Sequence, residues 1–199
     1  GFSPIGNNFT PFTGQFDGLG HIINNLTINR PTQWYVGLFG YIGSGSAESN
    51  LGLVGSSVTG YCYIGGLAGL NYGTVTNVYN TGSVTGIGSG TSHIGGLIGN
   101  NNSGGTVTNS YNTGSVSGGN YVGGLVGTNN SGGTVSDSYA TSNVSATVGT
   151  FIGGLIGYNE GTVSNVYTNG NVNGGNAVGG LIGINDSGGA RIQEGVDSL

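Results

Sequence analysis

The chain offers seven carboxylates for acid–base chemistry: Asp17, Glu48, Asp137, Glu160, Asp186, Glu194 and Asp197. Cleavage of a glycosidic or similar bond needs two or more ionisable groups brought to one atom pair, with neighbours that set their pKa values apart. Only Glu160 and Asp186 have the spacing to meet, because each follows the same Gly-Gly-Leu block at consecutive occurrences. No residue stands ready to tune either, so they read as two solvated corner acids. Asp17 lies in Phe-Asp-Gly-Leu-Gly-His, a turn in which Asp supports the following glycine.

His21 and His93 have no Cys or His companion at ligand spacing, which argues against a zinc site. The single Cys, Cys62, has no neighbouring cation to lower its pKa and reads as a small packing residue. It also excludes an intramolecular disulfide framework. The many glycine-rich strings cradle phosphate only where they open a helix, and none does so here. The calcium-binding nonapeptide fails too, because Asp is missing from the repeated glycine loops apart from Asp186. No cofactor is expected. Asn-x-Ser/Thr triplets such as those at Asn8, Asn25 and Asn143 are expected by chance in a chain this rich in Asn, Ser and Thr.

One hydroxyl pattern is regular enough to bind something. Thr74 and Thr76, Thr106 and Thr108, Thr134 and Ser136, and Thr162 and Ser164 flank single valines. On a strand, alternation then sends both hydroxyls of each pair outward. Four stacked pairs would make a flat grid of about 4.8 by about 6.7 Å, similar to the surface of ice-binding β-solenoids. Thr and Ser are also ordinary solvent-face strand residues.

The elements that position these groups follow from a repeat. Gly, Asn, Ser and Thr number 47, 25, 21 and 20 of 199 residues, so more than half the chain is small or turn-forming. Charged residues are only 5%, with no Lys and with Arg30 and Arg191 as the two cations, which excludes a basic surface for nucleic acid or an anionic membrane. No apolar stretch approaches the ~20 residues of a spanning helix, so no membrane insertion is expected, and any export signal is expected outside this sequence. Gly-Gly-Leu-x-Gly recurs with its leucine at Leu67, Leu97, Leu125, Leu155 and Leu181, and a one-glycine relative precedes it at Leu38. Gly-Thr-Val-[Thr/Ser]-[Asn/Asp]-x-Tyr recurs at Gly73 to Tyr79, Gly105 to Tyr111, Gly133 to Tyr139 and Gly161 to Tyr167, and a third spot places Val84, Val116, Val144 and Val172.

Three short apolar spots per repeat, bounded by turn residues, read as one coil with three strands. The expected fold is all-β, a parallel β-helix (β-solenoid) of roughly 28 residues per coil with almost no helix. Stacking then turns each repeated position into a column: the five leucines, the series Ile64, Ile94, Val122, Ile152 and Val178, and two aromatic rows, Tyr79, Tyr111, Tyr139, Tyr167 and Tyr63, His93, Tyr121, Phe151. Asn25, Asn50, Asn77, Asn109, Asp137 and Asn165 are expected to form a polar column whose amides bond to one another and to turn backbone. Glycines at the corners are assigned to positive φ, and the paired glycines to bends where a Cβ would clash.

The segment Gly14 to Pro31, GQFDGLGHIINNLTINRP, followed by YVGLFGYIG, resembles the entry segment of GLUG-motif proteins. GGLIG with GTVTNSYNTGSVSG resembles the GLUG repeat itself. The resemblance covers roughly Phe2 to Asn185. It implies a right-handed parallel β-helix like those of filamentous-haemagglutinin-like adhesins and of the non-catalytic parts of immunoglobulin-A-protease-like surface proteins. On this basis residues 1–189 form one solenoid domain, with an entry segment 1–40 and repeats 41–189, and residues 190–199 a tail outside the pattern. The expected function is structural and adhesive, a non-enzymatic segment of a secreted or cell-surface protein. Its partner would be a host or neighbouring-cell surface glycan or protein. A filament subunit stacking end to end on its own copies, or an ice-binding solenoid, is the alternative.

Overall fold

The computed structural model describes residues 2–88, 90, 92–146 and 149–186. Among them there is no helix, and the strands pair in parallel throughout to form a β-solenoid of about six turns. The periodic Gly, Asn and Ser break the chain into strands of two to ten residues, and each strand finds its partner one repeat away. The proposed tail at 190–199, with Arg191, Glu194 and Asp197, lies outside the described residues.

The solenoid has three sheets, one per face. The first face stacks Phe39–Ile42, Ala68–Asn71, Ile98–Asn101, Val126–Asn129, Ile156–Asn159 and Ile182–Asn185. A second carries Ala47–Val54 and then the strands that open Thr-Val-Thr or Thr-Val-Ser, Thr74–Asn80, Thr106–Thr108, Thr134–Ala140 and Thr162–Thr168. The third begins with Thr27–Val36 on Ser57–Gly65 and continues through the Val84, Val116, Val144 and Val172 column and the Ile64 to Val178 column. Pairing runs without interruption across residue 40.

Alternation turns every second side chain inward, and the repeat makes those side chains stack. Leu67, Leu97, Leu125 and Leu155 have no exposed surface and join Val75, Val107, Val135 and Val163 in one core, while Leu181 on the last described coil packs against it half-buried. A second core lines the third face, with Ile28, Val58, Val84, Val116 and Val144 beside Val36, Ile64, Ile94, Val122 and Ile152. The N-terminal end of the stack is covered by aromatic side chains: Phe12 and Phe16 pack on Phe39 at ring-centroid distances of 5.0 and 5.5 Å.

The glycines of the Gly-Gly-Leu blocks sit where a Cβ would clash, as expected: on Gly66 it would stand 2.7 Å from the Gly96 carbonyl oxygen and 2.9 Å from Asn80 Cγ. None of these has a positive φ, whereas Gly104 and Gly132, each before a second glycine and Thr-Val, do, at 82°. Most other corners depart from the expectation of glycine. The left-handed corners fall instead on Asn25, Asn50, Asn77, Asn109, Asp137 and Asn165, with φ between 48° and 57°. Asn and Asp tolerate that region, which explains the column's composition. More unusually, Tyr35, Tyr63, Tyr121 and Phe151 also adopt positive φ. Each bulky ring is held there by its neighbours in the aromatic row, with Tyr35 stacked on Tyr63 at 5.1 Å and Tyr63 on His93 at 4.6 Å.

Candidate functional site

The hydroxyl pairs lie in register. Thr74, Thr106, Thr134 and Thr162 are successive partners, as are Thr76, Thr108, Ser136 and Ser164. The intervening valines face the core, so the hydroxyls face outward, as alternation requires. One coil earlier the first row ends, because Ala47 stands opposite Thr74, while Ser49 continues the second opposite Thr76. Part of its hydrogen-bonding capacity is spent within the sheet: Ser136 Oγ donates to Thr108 Oγ1 at 3.1 Å.

The carboxylates serve different roles. Asp17 Oδ1 accepts from the Leu19 amide and from Asn50 Nδ2, both at 2.9 Å, so its turn support falls on Leu19, the residue after Gly18. These bonds, the Asn50 one foremost, lower its pKa. Glu160 and Asp186 do come together, across one hydroxyl: Tyr158 Oη donates to Glu160 Oε1 at 2.9 Å and reaches Asp186 Oδ2 at 3.3 Å. The bond to Glu160 and the negative charge beside it push the phenol up to about 12. Tyr158 thus links the corners of two coils through a single hydroxyl, its one proton directed at Glu160.

Glu48 is the acid whose place the sequence did not disclose. It stands between Phe16 and Val75 in register, at the head of the Val75, Val107, Val135 and Val163 column. It is 1% exposed, and neither carboxylate oxygen has a hydrogen-bond partner. Ser46, whose hydroxyl would favour the ionised form, is engaged with the Gly43 carbonyl at 2.6 Å. Burial therefore pushes Glu48 up to about 8. The Thr-Val-Thr phase becomes Ala-Glu-Ser in this coil, without the Gly-Thr-Val block that marks the others.

His93 sits between Tyr63 and Tyr121, with ring centroids 4.6 and 4.8 Å away, and its Nδ1 lies 2.7 Å from Thr128 Oγ1. Burial lowers its pKa to about 4. Cys62 is buried, and burial raises its thiol rather than activating it. Among the described residues no three His, Cys, Asp or Glu side chains converge as a metal site would require.

The polar column at Asn77, Asn109, Asp137 and Asn165 is an exposed row of left-handed corners with an incomplete ladder. Asn50 donates to Asp17, Asn77 to Asn50 at 3.1 Å, and Asn165 to Asp137 at 3.1 Å. Between Asn77 and Asp137 the side chains do not connect.

The continuous amide ladder runs elsewhere. Asn71, Asn101, Asn129, Asn159 and Asn185 are joined Nδ2 to Oδ1 at 2.8, 2.8, 2.7 and 2.8 Å. The first four of them have no exposed surface. The sequence carried the signal: each stands two residues after the last glycine of Gly-Gly-Leu-x-Gly. A second, shorter ladder joins Asn80 to Asn112 at 3.0 Å, and both amides also donate to carbonyls of the paired glycines, Gly96 and Gly124.

The GLUG motif family model matches residues 60–85, the stretch that includes the strands Ala68–Asn71 and Thr74–Asn80. The chain is 45% identical over 102 residues to halomucin of Haloquadratum walsbyi, which is half of this chain and 1% of halomucin. It is 41% identical over 81 residues to a Gly-rich membrane protein of Evansella cellulosilytica, covering 39% of this chain and 9% of that one. The chain therefore spans only a small part of either relative. Among solved structures, an immunoglobulin A1 protease-like protein from Bacteroides ovatus superposes with a TM-score of 0.53 at 19% identity, over 88% of this chain and 71% of that one. That likeness concerns the fold.

Proposed function

We propose that the chain is a non-catalytic segment of a secreted or cell-surface protein, a β-solenoid rod that presents a neutral hydrogen-bonding surface for adhesion to a glycan or protein on another surface. The observation that carries this reading is the unbroken register of buried ladders beneath a surface of Thr, Ser, Asn and Tyr side chains. A fold stabilised coil by coil lengthens without changing its cross-section, at about 4.8 Å per coil, which suits a stalk. Support also comes from the relatives: halomucin and the Gly-rich membrane protein are far longer than the matched segment, as expected of repeat-built surface proteins. In this reading the meeting of Glu160 and Asp186 across the Tyr158 hydroxyl is a surface crosslink between two coils.

The test uses the intact parent protein in its source cells. Antibodies against this segment should label unpermeabilised cells, and in-frame removal of whole coils should reduce attachment to a foreign surface. Labelling only after permeabilisation would overturn the surface assignment.

End-to-end stacking of copies is a second reading. It is favoured by the coil-to-coil repetition itself, in which each face of a coil pairs in parallel with the same face of the next. Light scattering across a concentration series distinguishes a fixed mass from open-ended growth.

A further inference from the structure

The third face begins with an irregularity. Arg30 pairs with Gly60 and Trp34 with Cys62, so Pro31, Thr32 and Gln33 together oppose the single residue Tyr61. Proline has no N–H to give to the ladder, and the extra residues bulge away from the sheet. The entry segment runs alongside, held by Arg30, whose Nη2 donates to the Phe2 carbonyl at 2.8 Å and to Ser3 Oγ at 3.0 Å. Between bulge and entry segment lies a groove of about 660 Å³, lined among others by Ser3, Asn7, Asn8, Thr32, Gln33 and Trp34.

We propose that this groove is a binding site for a neutral oligosaccharide, with Trp34 as the platform on which one sugar ring stacks. The proposal rests on the surface-adhesion reading for its ligand class alone. Trp34 is half exposed yet fixed, because it stacks on Tyr61 at 6.3 Å and 27° and leans on Tyr63 at 5.9 Å. In the following coils the equivalent position is Cys62 and then small or polar residues, so a large ring here is not demanded by the repeat. An exposed, immobilised indole offers a flat apolar face at little entropic cost.

The polar lining complements it. Asn8 and Gln33 are exposed, and their amides have no hydrogen-bond partner within the protein, so each presents two donors and an acceptor. Asn7 uses its Oδ1 for the Phe9 and Thr10 amides at 2.9 and 3.0 Å, which fixes the side chain and leaves its NH2 to donate. No charged side chain lines the groove. An anionic or cationic ligand would be desolvated without compensation, whereas a pyranose offers apolar C–H faces for the indole and hydroxyls for the amides.

Trp34 is the chain's single tryptophan, so intrinsic fluorescence reports on this groove alone. The protein is titrated separately with cellotetraose, maltotetraose and chitotetraose. At least one should give a saturable change in intensity or emission maximum, with a dissociation constant on the order of 0.01–1 mM. By calorimetry, Trp34→Ala should weaken that binding about tenfold or more, while Trp34→Phe retains most of it. Gln33→Ala, which removes no internal hydrogen bond, should weaken it several-fold with an unchanged melting temperature, and Thr134→Val on the hydroxyl face should leave it intact. Absence of a saturable response to all three sugars, or binding untouched by Trp34→Ala and Gln33→Ala, would overturn the proposal. Surface labelling of the parent protein is read independently, so a silent groove on a labelled protein sinks the site and leaves the rod standing.

Discussion

Asn101 donates from Nδ2 to Oδ1 of Asn129 at 2.8 Å, and neither side chain has any exposed surface. Asn129 in turn donates to Asn159 at 2.7 Å. A buried primary amide is expensive unless its groups are paired, and stacking identical amides at the coil spacing pairs each one to the next. Replacing Asn129 by Ala would leave the Asn101 NH2 and the Asn159 carbonyl short of a partner inside a dry core. Such a change should cost ~2 to 5 kcal/mol in urea unfolding, more than any exposed Asn of the corner column. A loss no greater than that of Asn109→Ala would show that water reaches the ladder.

Leu125 lies in the middle of the leucine column with no exposed surface. Leu125→Ala should therefore cost ~2 to 5 kcal/mol, the range for deleting a buried side chain whose surroundings cannot collapse. The columns above and below are fixed by parallel pairing, so relaxation is limited. An effect below about half a kcal/mol would contradict the inward phase of this strand.

The coil length, the three faces and the leucine and aromatic columns were legible in the sequence, because one phase repeated five times determines which residues align. Tyr79, Tyr111, Tyr139 and Tyr167 stack at 4.9, 4.8 and 4.7 Å as their spacing required. Two things were not legible. Column membership does not say which column is buried, so the exposed Asn77 series was credited with the ladder that the Asn71 series forms. The first coil also lacks the Gly-Thr-Val block and contains a bulge, so the phase of Glu48 and of Trp34 could not be propagated backward from the later repeats. The candidate binding groove lies in that irregular coil, where local deviation from the repeat creates both the space and the exposed ring.

Glu48 should impose an alkaline limb on stability. Its folded-state pKa of about 8 exceeds the ordinary value of 4.5, so between these pH values the folded chain holds more proton than the unfolded one. Stability contributed by this group is fully present below about pH 4.5 and declines until about pH 8. Glu48→Gln should remove that decline. Glu48→Val, which restores the column residue, should raise stability at pH 8 by ~2 kcal/mol or more. Urea midpoints that do not differ between wild type and Glu48→Gln across this range would mean that the carboxylate finds solvent.

His93 should produce the opposite limb. Burial lowers its pKa from 6.5 to about 4, so the folded chain holds less proton than the unfolded one in that window, and stability falls as the pH drops through it. His93→Phe, which keeps an aromatic ring between Tyr63 and Tyr121, should flatten the acid side. Wild-type stability is then expected to be greatest in the mildly acidic range, where the windows of the two groups overlap.

Asp137 tests the corner itself. Its φ is 49°, and its Oδ1 accepts from Asn165 Nδ2 at 3.1 Å while the carboxylate stays exposed. Asn fills the equivalent corner at Asn77, Asn109 and Asn165, tolerates the left-handed region and can accept the same bond. Asp137→Asn should accordingly hold or raise stability, by at most a hydrogen bond's ~1 kcal/mol. Asp137→Val keeps neither the acceptor nor the tolerance, because a β-branched side chain at positive φ meets its own backbone. Its cost should be about 1 to 3 kcal/mol, seen as a lower urea midpoint. Asp137→Gly separates the two causes, since it relieves the backbone while still losing the acceptor. If valine proved as stable as glycine, the left-handed corner would not be what selects Asn and Asp in this column.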